Sequence, residues 1–133
     1  MRDETTTPAG IDWDRTGTVL LETRRRDGRW VPTPVSLVTE GDRHFFRTYD
    51  AAGKAKRLRS HAGVRVSVSD LRGRPSGPAV EGSARLLQGA EAEYARRLLA
   101  RRFPFLHGVL VPLTHRLKGW TTLHYELQVP PPR

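Results

Sequence analysis

Four basic side chains crowd into the nine residues Gly53 to His61, GKAKRLRSH: Lys54, Lys56, Arg57 and Arg59. Leu58 is the only large apolar residue among them, so the segment reads as a short surface helix of about two turns. A strand ends just upstream, at Thr48. The first N–H groups of such a helix are unpaired and point outward, which makes a seat for an anion. Lys54 stands in the first turn, and Arg57 lies one turn on along the same face. A phosphate suits this arrangement; a solvated basic face would carry the same residues.

A second unusual stretch is Val31 to Ser36, VPTPVS. Pro32 and Pro34 leave neighbouring backbone groups that cannot join a regular ladder. Those groups are free to meet the edge of a planar heterocycle. The plainer account is an edge strand guarded against aggregation by proline.

Other chemistries lack support. The five histidines, His44, His61, His107, His115 and His124, form no pair at metal-ligand spacing, so no metal site is expected. There is no cysteine, hence no disulfide, thiolate zinc site or cysteine nucleophile, and a reducing, cytoplasmic setting is the natural reading. No nucleophile elbow occurs. Gly53-Lys54 is not a phosphate-binding loop of the Walker type, because Thr48 stands where the first glycine belongs and Ala55 replaces the hydroxyl residue. His44 and Tyr49 could give a proton, although packing is the simpler role for each.

The elements that must position these residues are mostly strands. Gly17 to Arg25 reads as a half-buried strand and is followed by Asp27-Gly28, a hairpin turn signal. Arg29 to Glu40 reads as one long strand, Gly41-Asp42 as the next turn and Arg43 to Thr48 as a third strand, together a meander. Val64 to Asp70 alternates strictly, with Val64, Val66 and Val68 on one face. Ala79 to Leu87 contains Gly82, which marks a bulge or a close backbone approach. Gly119 to Val129 is the sixth strand. Ala90 to Phe103 is the one long helix, with acids at its start and arginines at its end, and Pro104 stops it. Phe105 to Leu117 has room for a further short helix. The expected fold is therefore mainly β, a six-stranded antiparallel barrel with Greek-key connections, one long helix and one or two short ones. Residues 1–12 read as a flexible lead-in, 13–129 as a single domain and 130–133 as a tail.

The order of these features resembles the pyridoxamine-phosphate-oxidase-like split β-barrel family: Asp27-Gly28, Thr33-Pro34-Val35, Arg47-Thr48, Gly53-Lys54 with Leu58-Arg59, the valine strand, and Glu81-Gly82-Ser83-Ala84-Arg85. It is most similar to the branch of small proteins that use the deazaflavin coenzyme F-420. The resemblance implies a homodimeric oxidoreductase with the cofactor at the subunit interface. It implies that Lys54 holds cofactor phosphate and that Arg57 and Arg59 help with the anionic tail. Thr33, Pro34 and Val35 would border the ring, Thr48 would end the strand beside it, and the loop with Ser76 and Gly77 would border the cofactor too. Flavin-using relatives often carry a longer basic signature in the second strand. Arg29-Trp30-Val31 and the two prolines depart from it, which favours F-420 over FMN.

The charge balance is consistent with an anionic ligand. Lys plus Arg number 23 against 14 Asp plus Glu, a net charge of +9, in a chain of 133 residues. An FMN-binding reductase or oxidase of the same fold, a non-catalytic cofactor or haem carrier and a nucleic-acid-binding barrel are the rivals. The last lacks an aromatic platform, since the neighbours Phe45 and Phe46 must face opposite ways. No apolar run approaches the roughly 20 residues of a membrane-spanning helix. The expected partners are a small-molecule substrate and a second copy, with neither nucleic acid nor membrane.

Overall fold

A computed structural model describes residues 12–13, 16–69, 74–75, 77–104 and 110–130. Seven strands form one antiparallel sheet: β1 Thr18–Arg24, β2 Trp30–Ser36, β3 Val38–Glu40, β4 Arg43–Tyr49, β5 Gly63–Val68, β6 Val80–Leu86 and β7 Thr122–Gln128. Helix α1 Gly53–Ser60 joins β4 to β5, and α2 Gly89–Arg102 and α3 Val111–Lys118 lie between β6 and β7. The strand order is β2-β1-β5-β6-β7-β4-β3.

Two expectations are corrected. The long strand Arg29 to Glu40 is two strands, so the count is seven rather than six. The break falls at Leu37, whose N–H turns to the carbonyl of Gly17 at 2.9 Å. Leu37 and Val38 are both buried, which no single strand facing one core allows. In consequence β1–β2 and β3–β4 are separate hairpins at opposite edges of the sheet, not a meander. The turn glycines are as expected: Gly28 and Gly41 sit at φ +92° and +63°, which other residues rarely adopt. The last strand starts at Thr122 because Gly119, at φ +72°, caps α3.

The curled sheet encloses one core and carries a second on its outside. Inside, Val19, Leu21, Val64, Val66, Phe46 and Leu127 pack together, and Leu58 of α1 closes one end. Outside, Phe45, Leu87, Ala95, Leu98 and Leu99 bury one face of α2. Strand β4 is thus covered on both faces, and both Phe45 and Phe46 are fully buried. The carboxylate of Glu126 pins α2 in place. It accepts from Arg43 at 2.9 Å and Arg85 at 2.6 Å, and Arg85 reaches Glu91 in the first turn of α2 at 3.2 Å.

Gly82 marks a close approach. A Cβ there would stand 2.9 Å from the carbonyl oxygen of Gln128, which is backbone and cannot swing away. Gly82→Ala is expected to destabilise the fold by about 1–3 kcal/mol, the range for overpacking. Thermal melting checks this, and an unchanged midpoint would contradict the tight β6–β7 contact.

Candidate functional site

The hairpin β1–β2 and helix α1 face each other across a cleft of about 580 Å³, lined by Arg24, Arg25, Arg26, Lys56, Arg57 and His61, with Gly28 and Ser60. Local sequence explains the wall. Asp27 accepts from the backbone N–H of Arg29 at 3.0 Å and from its Nε at 2.9 Å, tightening the turn so that the arginine run before it projects into the cleft. From the other side α1 offers a helix with no acid in its first turn.

Arg57 is held in place. Its Nε donates to Thr23 Oγ1 at 2.6 Å, and its guanidinium folds back over Gly53, where a Cβ would meet Nη1 at 2.9 Å. Gly53 therefore makes room for the arginine at the helix start. Burial, and then Arg25, push the Arg57 pKa down from its ordinary value. Burial, and then Arg57, lower that of Lys54 as well. Among the described residues no carboxylate pairs with Arg24, Arg26, Lys54, Lys56 or Arg57. Asp27, the acid nearest the arginine run, is taken by Arg29 at 2.8 Å and stands 3.9 Å from Arg25. The cleft is a concentration of like charge.

Of the residues expected at a site, Arg57 lines this cleft. Lys54 is half-buried at the start of α1 and is coupled to Arg57, but it does not line the wall. Arg59 is exposed and lies outside it. Thr33 and Val35 pair with Leu21 and Val19, so their side chains share the barrel-interior face, while Pro34 is exposed on the other. Thr48 is buried, and its Oγ1 has no hydrogen-bond partner among the described residues. Gly77 is exposed, and Ser76 lies outside the described residues. The arginine run Arg24 to Arg26 and His61 were not expected there, and Lys56 was counted only among the basic residues of the helix. The signal for the run was three consecutive arginines before a hairpin turn.

The two proton-donor candidates have packing roles. His44 Nδ1 is 2.8 Å from Thr39 Oγ1, and the ring lies against Trp13. Tyr49 stacks on Trp120 at 4.0 Å.

A second polar cluster lies on the α2 side of the sheet, where Arg47 and His124 are cross-strand neighbours and both are buried. Burial lowers the pKa of Arg47 to about 10. Burial, followed by Arg47 and Arg96, lowers that of His124 to about 4. An unfolded histidine titrates near 6.5, so as the pH falls the unfolded chain takes up this proton first. The contribution is fully present above about pH 6.5, is lost progressively down to about 4 and is constant below. Its size is about 3 kcal/mol. Denaturant titrations at pH 7 and pH 4.5 should show the loss, and His124→Gln should flatten it. An equally steep profile in the variant would contradict the assignment.

Among the described residues no group of three or more histidine or acidic side chains could hold a metal ion, and no helix is long and apolar enough to cross a membrane. No family model and no curated protein matches the chain. Solved structures do. The protein Atu2129 of unknown function from Agrobacterium tumefaciens superposes at TM-score 0.67 and 19% identity over 84% of this chain. This chain spans 47% of that protein, under half its length. The haem storage protein HutZ from Vibrio cholerae gives TM-score 0.66 and 15% identity, covering 86% of this chain and 82% of its own. An F420 reductase gives TM-score 0.56 and 15% identity, covering 92% and 94%. At such identities the likeness shows the fold alone.

Proposed function

We propose that the chain is a split-barrel oxidoreductase that uses reduced coenzyme F-420 to reduce a small organic substrate, with the anionic tail of the cofactor in the cleft between the β1–β2 hairpin and α1. The observation that carries this reading is the run of cations there, of which only Arg25 has an acid within 4 Å among the described residues. A multiply charged anion relieves their mutual repulsion, and Arg57 is already oriented by Thr23 to meet it. Lys54, from the first turn of α1, adds charge beside the uncapped N–H groups.

When bound, the deazaflavin supplies the hydride chemistry, and the protein supplies binding and orientation. Arg25, Lys56 and Arg57 would fix the tail and so the distance of the ring from the barrel. Neither His44 nor Tyr49 is assigned a proton, since each is engaged in packing. The active species is a homodimer, which sedimentation at micromolar concentration should show as two chains.

The test is a parallel titration of the protein with F-420, FMN and haem. F-420 should bind saturably with an affinity that falls as salt rises, because exposed charges are screened. FMN, with a single phosphate, should bind more weakly. Tight haem binding with no response to F-420 would replace this reading with the carrier alternative.

A further inference from the structure

Among the described residues five large hydrophobic side chains are exposed, and three of them belong to α3 and its N-cap: Leu110, Leu113 and Leu117, at 44%, 48% and 77%. Spacings of three and four residues put them in one stripe. The helix is seated by its other side. Among its described side chains only His115 is buried; its Nδ1 shares a hydrogen bond with Thr122 Oγ1, and its ring meets Tyr49 and Trp120 edge-on. His115 is two residues from both Leu113 and Leu117, so the stripe points away from the sheet. Polar residues normally take that outward place on a surface helix.

The charge around the stripe is of one sign. Arg116 and Lys118 flank Leu117, each about 100° round the helix from it. Neither pairs with a carboxylate among the described residues, and Lys118 Nζ lies 5.9 Å from the centroid of the Trp120 ring. From Tyr94 to Tyr125 the sequence holds six Lys and Arg and no acid. We propose that α3 docks the protein on an anionic membrane surface, with the leucines at the edge of the acyl chains and Arg116 and Lys118 among the lipid phosphates.

Charge and area decide the occupant. A second copy would bring the same cations face to face across the stripe. Three leucines also fall far short of the roughly 800 Å² a side that a specific protein interface buries. A bilayer closes round three side chains without a matching shape, and its charge is opposite to that of the helix. No helix here is long and apolar enough to cross a membrane, but lying in the interface needs no span. The proposal departs from the expectation of no membrane partner, which rested on the missing span.

The experiment sediments the protein with vesicles of phosphatidylcholine alone and of phosphatidylcholine with phosphatidylglycerol. The parent chain should go down with the anionic vesicles and stay in solution with the neutral ones, and added salt should release it. Leu113→Gln/Leu117→Gln should weaken binding by about tenfold or more, the worth of burying a leucine. Both positions are exposed and glutamine is a good helix former, so the melting midpoint should hold. Arg116→Ala/Lys118→Ala should also lose about tenfold or more, whereas Arg25→Ala/Lys56→Ala, which removes as much charge elsewhere, should bind within a few-fold of the parent. Because the chain has no cysteine, Leu117→Cys takes a single environment-sensitive dye. Its emission should shift to the blue with anionic vesicles, and a dye on Asp42→Cys, at an exposed turn, should not shift. No binding to either vesicle, or binding with the dye at 117 still in water, would overturn the proposal. Equal losses in the two charge pairs with none in the leucine variant would leave only the overall field at work and overturn it too. So would a blue shift that follows protein concentration without lipid, which would put a second copy on the stripe.

Discussion

Truncating Phe46 to alanine is expected to destabilise the protein by about 3–5 kcal/mol, the range for emptying a buried phenylalanine site. Phe46 is fully buried and stacks nearly parallel on Tyr125, with ring centroids 5.2 Å apart. It sits where β4 meets β7, the seam that joins the β3–β4 hairpin to the other five strands of the sheet. Its core neighbours are mostly strand residues held in the hydrogen-bonded sheet, so they cannot collapse into the void as a loop would. Domains of this size hold about 5–15 kcal/mol in total, so the loss takes a large share. The melting midpoint should fall by roughly 10–20 °C. Phe45→Ala should cost less. Phe45 packs beneath a single helix that can settle onto the space, and its edge contact with Tyr94 is longer, at 6.1 Å. If Phe46→Ala melted within a few degrees of the parent chain, the inner core would not be what holds the barrel.

The same two phenylalanines show what was legible in the sequence. Strict alternation in Val64 to Val68 and the turn glycines at 28 and 41 are local signals, and the structure keeps them. β4 has both faces buried, so its apolar residues run together and carry no period. The break after β2 was written as the adjacent pair Leu37-Val38, but two prolines nearby had already disturbed the alternation and hid it. Which strands pair is set by the curl of the whole sheet, and no window of ten residues contains it. The two hairpins were read correctly as hairpins and wrongly as neighbours.

The candidate site divides along the same line. Helix α1 and its basic residues are local, and the helix formed as expected. The other wall of the cleft comes from residues 24–26, about 30 positions upstream, and depends on β1 lying next to β5. Charge counting along the chain could not distinguish Arg59, which faces solvent, from Arg57, which turns inward to Thr23. Direction around a two-turn helix separates them, and the identity of the facing strand decides which direction is inward.

Removing two cleft cations together is expected to give the largest loss of binding, and the choice of residues matters. Arg57→Ala would also strip the hydroxyl of Thr23, a fully buried residue, of its bond, so a stability change would cloud the result. Arg25 and Lys56 are exposed; the former has only the 3.9 Å contact with Asp27, and Lys56 has no acidic partner among the described residues. Arg25→Ala/Lys56→Ala should therefore melt within a degree or two of the parent chain, or slightly above it, since like charges have been taken from a crowded face. Each charge-assisted contact to the tail is worth about 1.5–3 kcal/mol. The two residues share one ligand, so their effects need not add. A fall in F-420 affinity of roughly a hundredfold or more is expected, with a shallower dependence on salt than the parent chain shows. Lys118→Ala, on α3 and outside the cleft, removes one charge of the same kind and should bind normally. Equal losses in the control and the double variant would mean that the +9 field acts as a whole. Unchanged binding in the double variant would mean that the anion sits elsewhere, and the cleft would be only a solvated basic face.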